Sequence, residues 1–135
     1  MPAYTADAVA LLAYLVDALP ARADQVFAEA EAGETVVQAP NTAVAETLYS
    51  VSRDKDVRGI TLEGAPERAR EALVERGPVS LTTAVDADLV EFATVVEDLS
   101  IHDAMVVASH RAGVTDAVVT SDGAIDDTGY ETVWE

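Results

Sequence analysis

The 135-residue chain has no cysteine, one tryptophan, one lysine and only 8 cationic side chains in total. Without cysteine there is no disulfide framework, no thiolate zinc site and no cysteine nucleophile, and the redox compartment is left unmarked. No run of about 18 apolar residues is present to span a membrane. The opening segment, MPAYTADAVALLAYL, lacks the basic start of a secretory signal. Those absences lead us to expect a cytoplasmic protein with no membrane partner. There is also no internal repeat, low-complexity tract or linker. With half of the residues hydrophobic, residues 1–135 read as a single domain with a real core.

What the chain has in excess is acid. Twenty-five Asp and Glu against 8 Lys and Arg give a formal charge of −17. An acidic, lysine-poor, Ala- and Val-rich composition resembles that of cytoplasmic proteins of salt-loving archaea. It also means that a count of carboxylates carries no information about a site, because any four of them look like a cluster. Position has to carry the argument.

Apolar spacing gives alternating elements. A short strand at Ala3–Asp7 is followed by a helix with Val9, Leu11, Leu12, Leu15, Val16 and Leu19 on its periodic face, up to Pro20. A second helix runs from about Ala21 to Ala32 with Gly33 as its left-handed stop. Thr35–Ala39 reads as a buried strand, and Asn41 as the N-cap of a helix carrying Val44, Leu48 and Val51. The segment Asp54–Ala65 reads as a loop or short turn, and Pro66–Glu75 as a helix with Pro at its start. After Gly77-Pro78 come a strand at Val79–Thr83, helices at about Asp86–Asp98 and Asp103–Ala112, the second ended by Gly113, and a strand at Ala117–Thr120. Thr132–Trp134 is a candidate last strand.

Strands separated by helices imply a mainly parallel sheet of four or five strands, covered on both faces. Sites in such sheets form beyond the carboxyl ends of the strands. Asp7 ends the first strand and Asp122 follows the last helix-linked one. Glu46 and Asp103 lie near the starts of helices that flank the same rim. Each has a purely structural alternative: solvated turns for Asp7 and Asp122, an exposed helical acid for Glu46, and a capping box, Ser100-Ile-His-Asp103, for Asp103. A matching pattern stands at Thr83-Ala-Val-Asp86. Capping and ligation are compatible, since a carboxylate fixed at a helix start is also held for a metal.

Four segments in order, YTADAVALLAYL, TAVAETLYSVSR, LSIHDAMVVASHRAG and VVTSDGAI, resemble the motifs of PIN-domain nucleases of the VapC-like toxin type. The resemblance runs from Tyr4 to Ile125. It implies a three-layer α/β/α fold, Mg²⁺ or Mn²⁺ as cofactor, hydrolysis of RNA phosphodiesters, a homodimer and an antitoxin partner. Matched residue by residue, it places the acidic metal-binding and catalytic set on Asp7, Glu46, Asp103 and Asp122, with Ser100, Thr120 and Asn41 supporting. Hard carboxylate oxygens suit such ions. The segment from Asp54 to Pro78 matches no motif, so the resemblance does not identify the RNA.

Arg53, Lys55 and Arg58 follow the Glu46 helix, and Arg111 follows the start of the Asp103 helix. They are candidate phosphate contacts, with local salt bridges as the alternative. His102 and His110 read as structural, and Tyr14, Tyr49 and Trp134 as core or interface residues rather than base-stacking platforms. Two other classes fit less of the sequence. A phosphoacceptor signalling domain needs a lysine late in the chain, whereas Lys55 stands mid-chain. A PIN-like domain used only for binding or assembly would have no need of intact acidic motifs.

A charge of −17 carries its own prediction. Self-repulsion destabilises the compact state, and at molar salt the Debye length falls to about 3 Å. Thermal melts should therefore lose cooperativity well below molar KCl. Salt-independent melting would contradict the salt-adapted reading.

Overall fold

The computed structural model describes residues 1–57, 59–61, 64–82 and 85–135, and only the backbone of Thr61 and Val85. Arg58 and Thr83, read above as a basic residue and a helix cap, lie outside them. The elements run β1 (Ala3–Ala6), α1 (Ala8–Leu15), α2 (Ala21–Glu31), β2 (Val36–Ala39), α3 (Asn41–Ser52), β3 (Asp56–Val57), β4 (Ile60–Thr61), α4 (Pro66–Arg70), β5 (Val79–Leu81), α5 (Val85–Val95), α6 (Ile101–Gly113), β6 (Ala117–Val119), α7 (Gly123–Asp127) and β7 (Thr132–Val133). A π-helical turn, Glu71–Glu75, continues α4.

The central sheet has the order β5-β2-β1-β6-β7, with every pairing parallel. It is a three-layer α/β arrangement, as the alternation of patterns predicts. The candidate strand at the C-terminus exists: β7 pairs with β6, and the Trp134 carbonyl accepts from the Ala23 N–H at 3.1 Å. The three residues of β6 are all buried, which is what a central strand covered on both faces requires. Phe27 and Leu11 from the helices fill the core against Val37, Val118 and Val119 from the sheet.

Three local readings are corrected. Asn41 is the first helical residue of α3 rather than its cap; Pro40 holds the cap position, with extended backbone and no side-chain bond. The segment Asp54–Ala65 contains an antiparallel hairpin, β3–β4, too short to show an alternating pattern. Val57 of this hairpin packs with Leu12, Val51 and Ala69 in a small second core that fixes the hairpin to α1, α3 and α4.

The third correction concerns the end of α6. The left-handed cap is Val114, at φ 51° and ψ 48°, not Gly113. Gly113 is glycine for a different reason. A Cβ there would come within 2.4 Å of Gln38 Nε2, the atom that donates to Thr5 Oγ1 at 3.2 Å and ties β2 to β1.

A β-branched residue in the left-handed region costs about 1–2 kcal/mol, and Val114 is 85% exposed, with little packing to offset that. Val114→Gly should stabilise the protein by about 1 kcal/mol, raising Tm by about 3 °C. Gly113→Ala should lower Tm. Equal melting of the Val114 variant and the parent would contradict the strain argument.

Candidate active site

The strand order reverses direction at β1: β2 and β5 lie on one side of it, β6 and β7 on the other. The crevice beyond the carboxyl ends of β1 and β6 is thus the switch point at which such sheets bind ligands. Register brings two site residues together there. Ala6 pairs with Val119, so Asp7 and Thr120 are the next residues out on adjacent strands, and the Asp7 N–H donates to the Val119 carbonyl at 3.2 Å.

Asp7 is buried and caps α1, its Oδ1 accepting from the Ala10 N–H at 2.9 Å. Its other oxygen accepts a short hydrogen bond from the Thr120 hydroxyl. That hydroxyl in turn accepts from the Asp122 N–H at 2.9 Å. Asp122 caps α7 through Oδ1 and the Ala124 N–H at 2.8 Å. Ser100 caps α6, accepting from the Asp103 N–H at 3.3 Å, which is the serine half of the expected capping box. Three helix N-termini therefore carry the three aspartates to one place. Negative charge at these ends is favoured by the helix dipole.

A cavity of about 260 Å³ is lined by Asp7, Glu46, Ser100, His102, Asp103 and Asp122. All four acids expected from the sequence reach it. Thr120 stands behind it, bonded to Asp7. Asn41 is exposed at the start of α3 and does not line it.

His102 was read as structural. Its Nδ1 lies 3.1 Å from Glu46 Oε2, and it lines the same cavity. The available signal was its place beside Asp103 in the first turn of α6. His110 does belong to the scaffold: its Nδ1 is 2.6 Å from the Thr115 hydroxyl, which lies 2.9 Å from that of Thr5. Burial holds the His110 pKa below the usual range.

The carboxylates are electrostatically crowded. Burial pushes the Asp7 pKa up to about 6; hydrogen bonds from Thr120 and Ala10 oppose this, and the charges of Asp103 and Asp122 add to it. Asp103 is also pushed up to about 6, by burial first, then by a hydrogen bond and charge repulsion with Asp122, and by the charge of Glu46, with the Ser100 hydroxyl opposing. Crowded acids without counter-charge retain protons. Among the described residues no three acids or histidines stand at metal-ligand spacing: Asp7 is turned to Thr120, and Glu46 to His102. The donor set nevertheless suits a hard divalent cation, being made of oxygens that repel one another around a small cavity.

Of the candidate cations, Arg111 is held by Glu91 at 2.6 Å and lines a separate cavity with Thr94 and Tyr130. Arg53 and Lys55 line a larger groove beside the acids. Tyr14 stacks on the buried Phe27, as a core residue should. Tyr49 is 62% exposed and is not a core residue.

No protein-family model and no curated protein sequence matches this chain. Solved structures do. VapC20 of Mycobacterium tuberculosis, described as a sarcin-ricin loop cleaving toxin, matches with a TM-score of 0.66 and 21% identity, covering 98% of this chain and 99% of that one. A chain of VapBC2 from Rickettsia felis, a complex bound to a DNA fragment from its promoter, matches with a TM-score of 0.66 and 11% identity over 98% and 99% of the two chains. At these identities the likeness is one of fold, and it extends over nearly the whole of both partners.

Proposed function

We propose that the chain is a metal-dependent endoribonuclease of the VapC-like PIN-domain type, hydrolysing RNA phosphodiesters with Mg²⁺ or Mn²⁺. The observation that carries this reading is the convergence of Asp7, Asp103, Asp122 and Glu46 on one cavity at the switch point of a fold shared with VapC20, itself described as a sarcin-ricin loop cleaving toxin. The reading extends to a toxin of a toxin–antitoxin pair, with an antitoxin partner and a homodimer. It also takes the chain to be a single cytoplasmic domain, and its acidic composition to be an adaptation to high salt. No described helix is long and apolar enough to cross a membrane.

In this reading Asp7, Asp103 and Asp122 hold the cation, and Glu46 is a further ligand or positions the attacking water. When bound, such an ion lowers the pKa of a water and offsets charge on the phosphate oxygens. The chain's own contribution is placement. Thr120 and the Ala10 N–H fix the two oxygens of Asp7, Ser100 fixes the start of α6 and with it Asp103, and His102 orients Glu46. No nucleophilic side chain is needed.

RNA cleavage should be abolished by EDTA and restored by millimolar Mn²⁺ or Mg²⁺. At a hundredfold excess over its Kd the ion should add about 2.7 kcal/mol of stability. Cleavage that persists in EDTA, with contaminating nuclease excluded, would overturn the metal mechanism and favour the alternative of a non-catalytic PIN-like binding or assembly domain.

Asp103→Asn separates capping from ligation. The variant should be at least as stable as the parent in EDTA, because one repelling charge is gone. It should lose metal-induced stabilisation, and cleavage should fall by more than about a hundredfold, beyond the usual effect of an outer-shell partner. Asp86→Asn, an exposed acid in the first turn of α5, should leave both properties intact. Thermal melts with and without Mn²⁺, run beside an RNA cleavage assay, read both.

Asp7 supplies a pH dependence. Its folded pKa, about 6, lies above the ordinary value of 3.8. The stability it contributes is therefore present in full below pH 3.8 and lost as pH rises through 6. In EDTA, Asp7→Asn should match the parent near pH 4 and exceed it at pH 8 by up to about 3 kcal/mol. A stability gap that does not grow over this range would contradict the burial of an ionised Asp7.

A further inference from the structure

We propose that the outer face of α3, continued by Lys55, is a subsite for single-stranded RNA, in which a nucleobase stacks on Tyr49 while Arg53 and Lys55 take the adjoining phosphates. The inference rests on the ribonuclease reading and specifies the form of its substrate.

Thr42, Glu46, Tyr49 and Arg53 fall at successive helical spacings of four, three and four residues, so they form one stripe along α3. The stripe floors a groove of about 850 Å³, to which Lys55 and His102 also contribute. Glu46 and His102 line the acidic cavity as well, so the two spaces adjoin. From Glu46 to Arg53 the helix rises about 10 Å. The groove therefore leads away from the acids over a short run of nucleotides.

The chemistry of the lining selects the occupant. Acids outnumber cations 25 to 8 in this chain, and Arg70, Arg76 and Arg111 are each held by a carboxylate. Arg53 and Lys55, like Arg22 and Arg68, pair with no carboxylate among the described residues, and of these four only Arg53 and Lys55 line the groove. The Arg53 guanidinium instead lies 4.9 Å from the centre of the Tyr49 ring. An exposed aromatic ring beside two uncompensated cations is the combination that binds single strands: every base offers a face to stack, and the backbone is anionic. A duplex keeps its bases stacked on one another and leaves none for Tyr49. The two cations complement the RNA backbone, and the exposed ring offers a face to a base.

The test uses a fluorescein-labelled single-stranded RNA decamer, read by anisotropy in EDTA so that binding is measured without cleavage, in KCl that keeps the protein folded by circular dichroism. Tyr49→Ala should raise Kd about tenfold, and Tyr49→Phe should restore it, which a loss of folding would not permit. Arg53→Ala with Lys55→Ala should weaken binding and flatten the dependence of log Kd on log [KCl] by about 1.4, the value for two contacts to a single strand. The same decamer annealed to its complement should bind the parent and Tyr49→Ala alike.

If the parent cleaves RNA in Mn²⁺ and all three groove variants bind and cleave as it does, the subsite is wrong and the nuclease reading stands. If RNA binds with the expected dependence on Tyr49 but no metal elicits cleavage, the nuclease reading fails and the subsite stands as a binding groove. If Tyr49→Ala leaves RNA affinity unchanged and instead dissociates a dimer or a protein complex, the groove is a protein interface and the proposal is overturned.

Discussion

The Thr120 hydroxyl donates to Asp7 and accepts from the N–H of Asp122, and through those two bonds it joins the ends of β1 and β6 to the starts of α1 and α7. A hydroxyl can do this because it is donor and acceptor at once. The arrangement requires that β1 and β6 be neighbours, in parallel, and in register at Ala6 and Val119. A slip of one residue would turn Thr120 to the opposite face and leave buried Asp7 without the donor that offsets its desolvation. The geometry of the acidic cavity thus depends on strand pairing far more than on the acids' own conformations.

That dependence separates the site from the general acidity of the chain. Most of the 25 acids can be solvated where they stand and cost the fold little beyond long-range repulsion. Asp7 cannot be, because burial has removed its water, and the four carboxylates around the cavity repel one another at short range, where salt does not screen them. Salt and a divalent ion therefore answer different problems. Salt relaxes the field of the whole surface, whereas the cavity calls for positive charge at one point.

Much of this was legible in the sequence. The helices announced themselves by apolar spacing, and β6 by its run Ala117-Val118-Val119. The rim shared by Asp7, Glu46, Asp103 and Asp122 followed once the strands were taken as parallel. What escaped was set by contacts between distant segments. His102 meets Glu46 because α6 packs on α3, a pairing that neither helix encodes alone. Gly113 looked like a helix stop, which is the commonest use of glycine there, but a side chain there would meet the Gln38 amide, on β2 and far away in sequence. The hairpin β3–β4 has two residues per strand, below the length at which a period can be read. Tyr49 read as a core or interface residue, and its exposure rules out the core, because which face of α3 is covered depends on the helices that pack against it.

On the proposed reading, an acidic protein must act on RNA, and the composition of the groove bears on that difficulty. Phosphate contacts weaken steeply with salt, since their free energy comes from counterion release. The high salt that relaxes a −17 surface would therefore remove much of what Arg53 and Lys55 alone can supply. Base stacking arises from apolar and π contact and has no counterions to release, and hydrophobic burial is if anything strengthened by excluded salts. Tyr49, held beside Arg53 and open to solvent, offers an attraction that persists where the cations fade. The same salt shortens the range of repulsion from the surrounding acids to a few ångströms. Under such conditions the proposed recognition would be decided by contacts within the groove rather than by the field of the whole molecule, and one ring and two cations that have no carboxylate partner among the described residues would weigh more than the net charge.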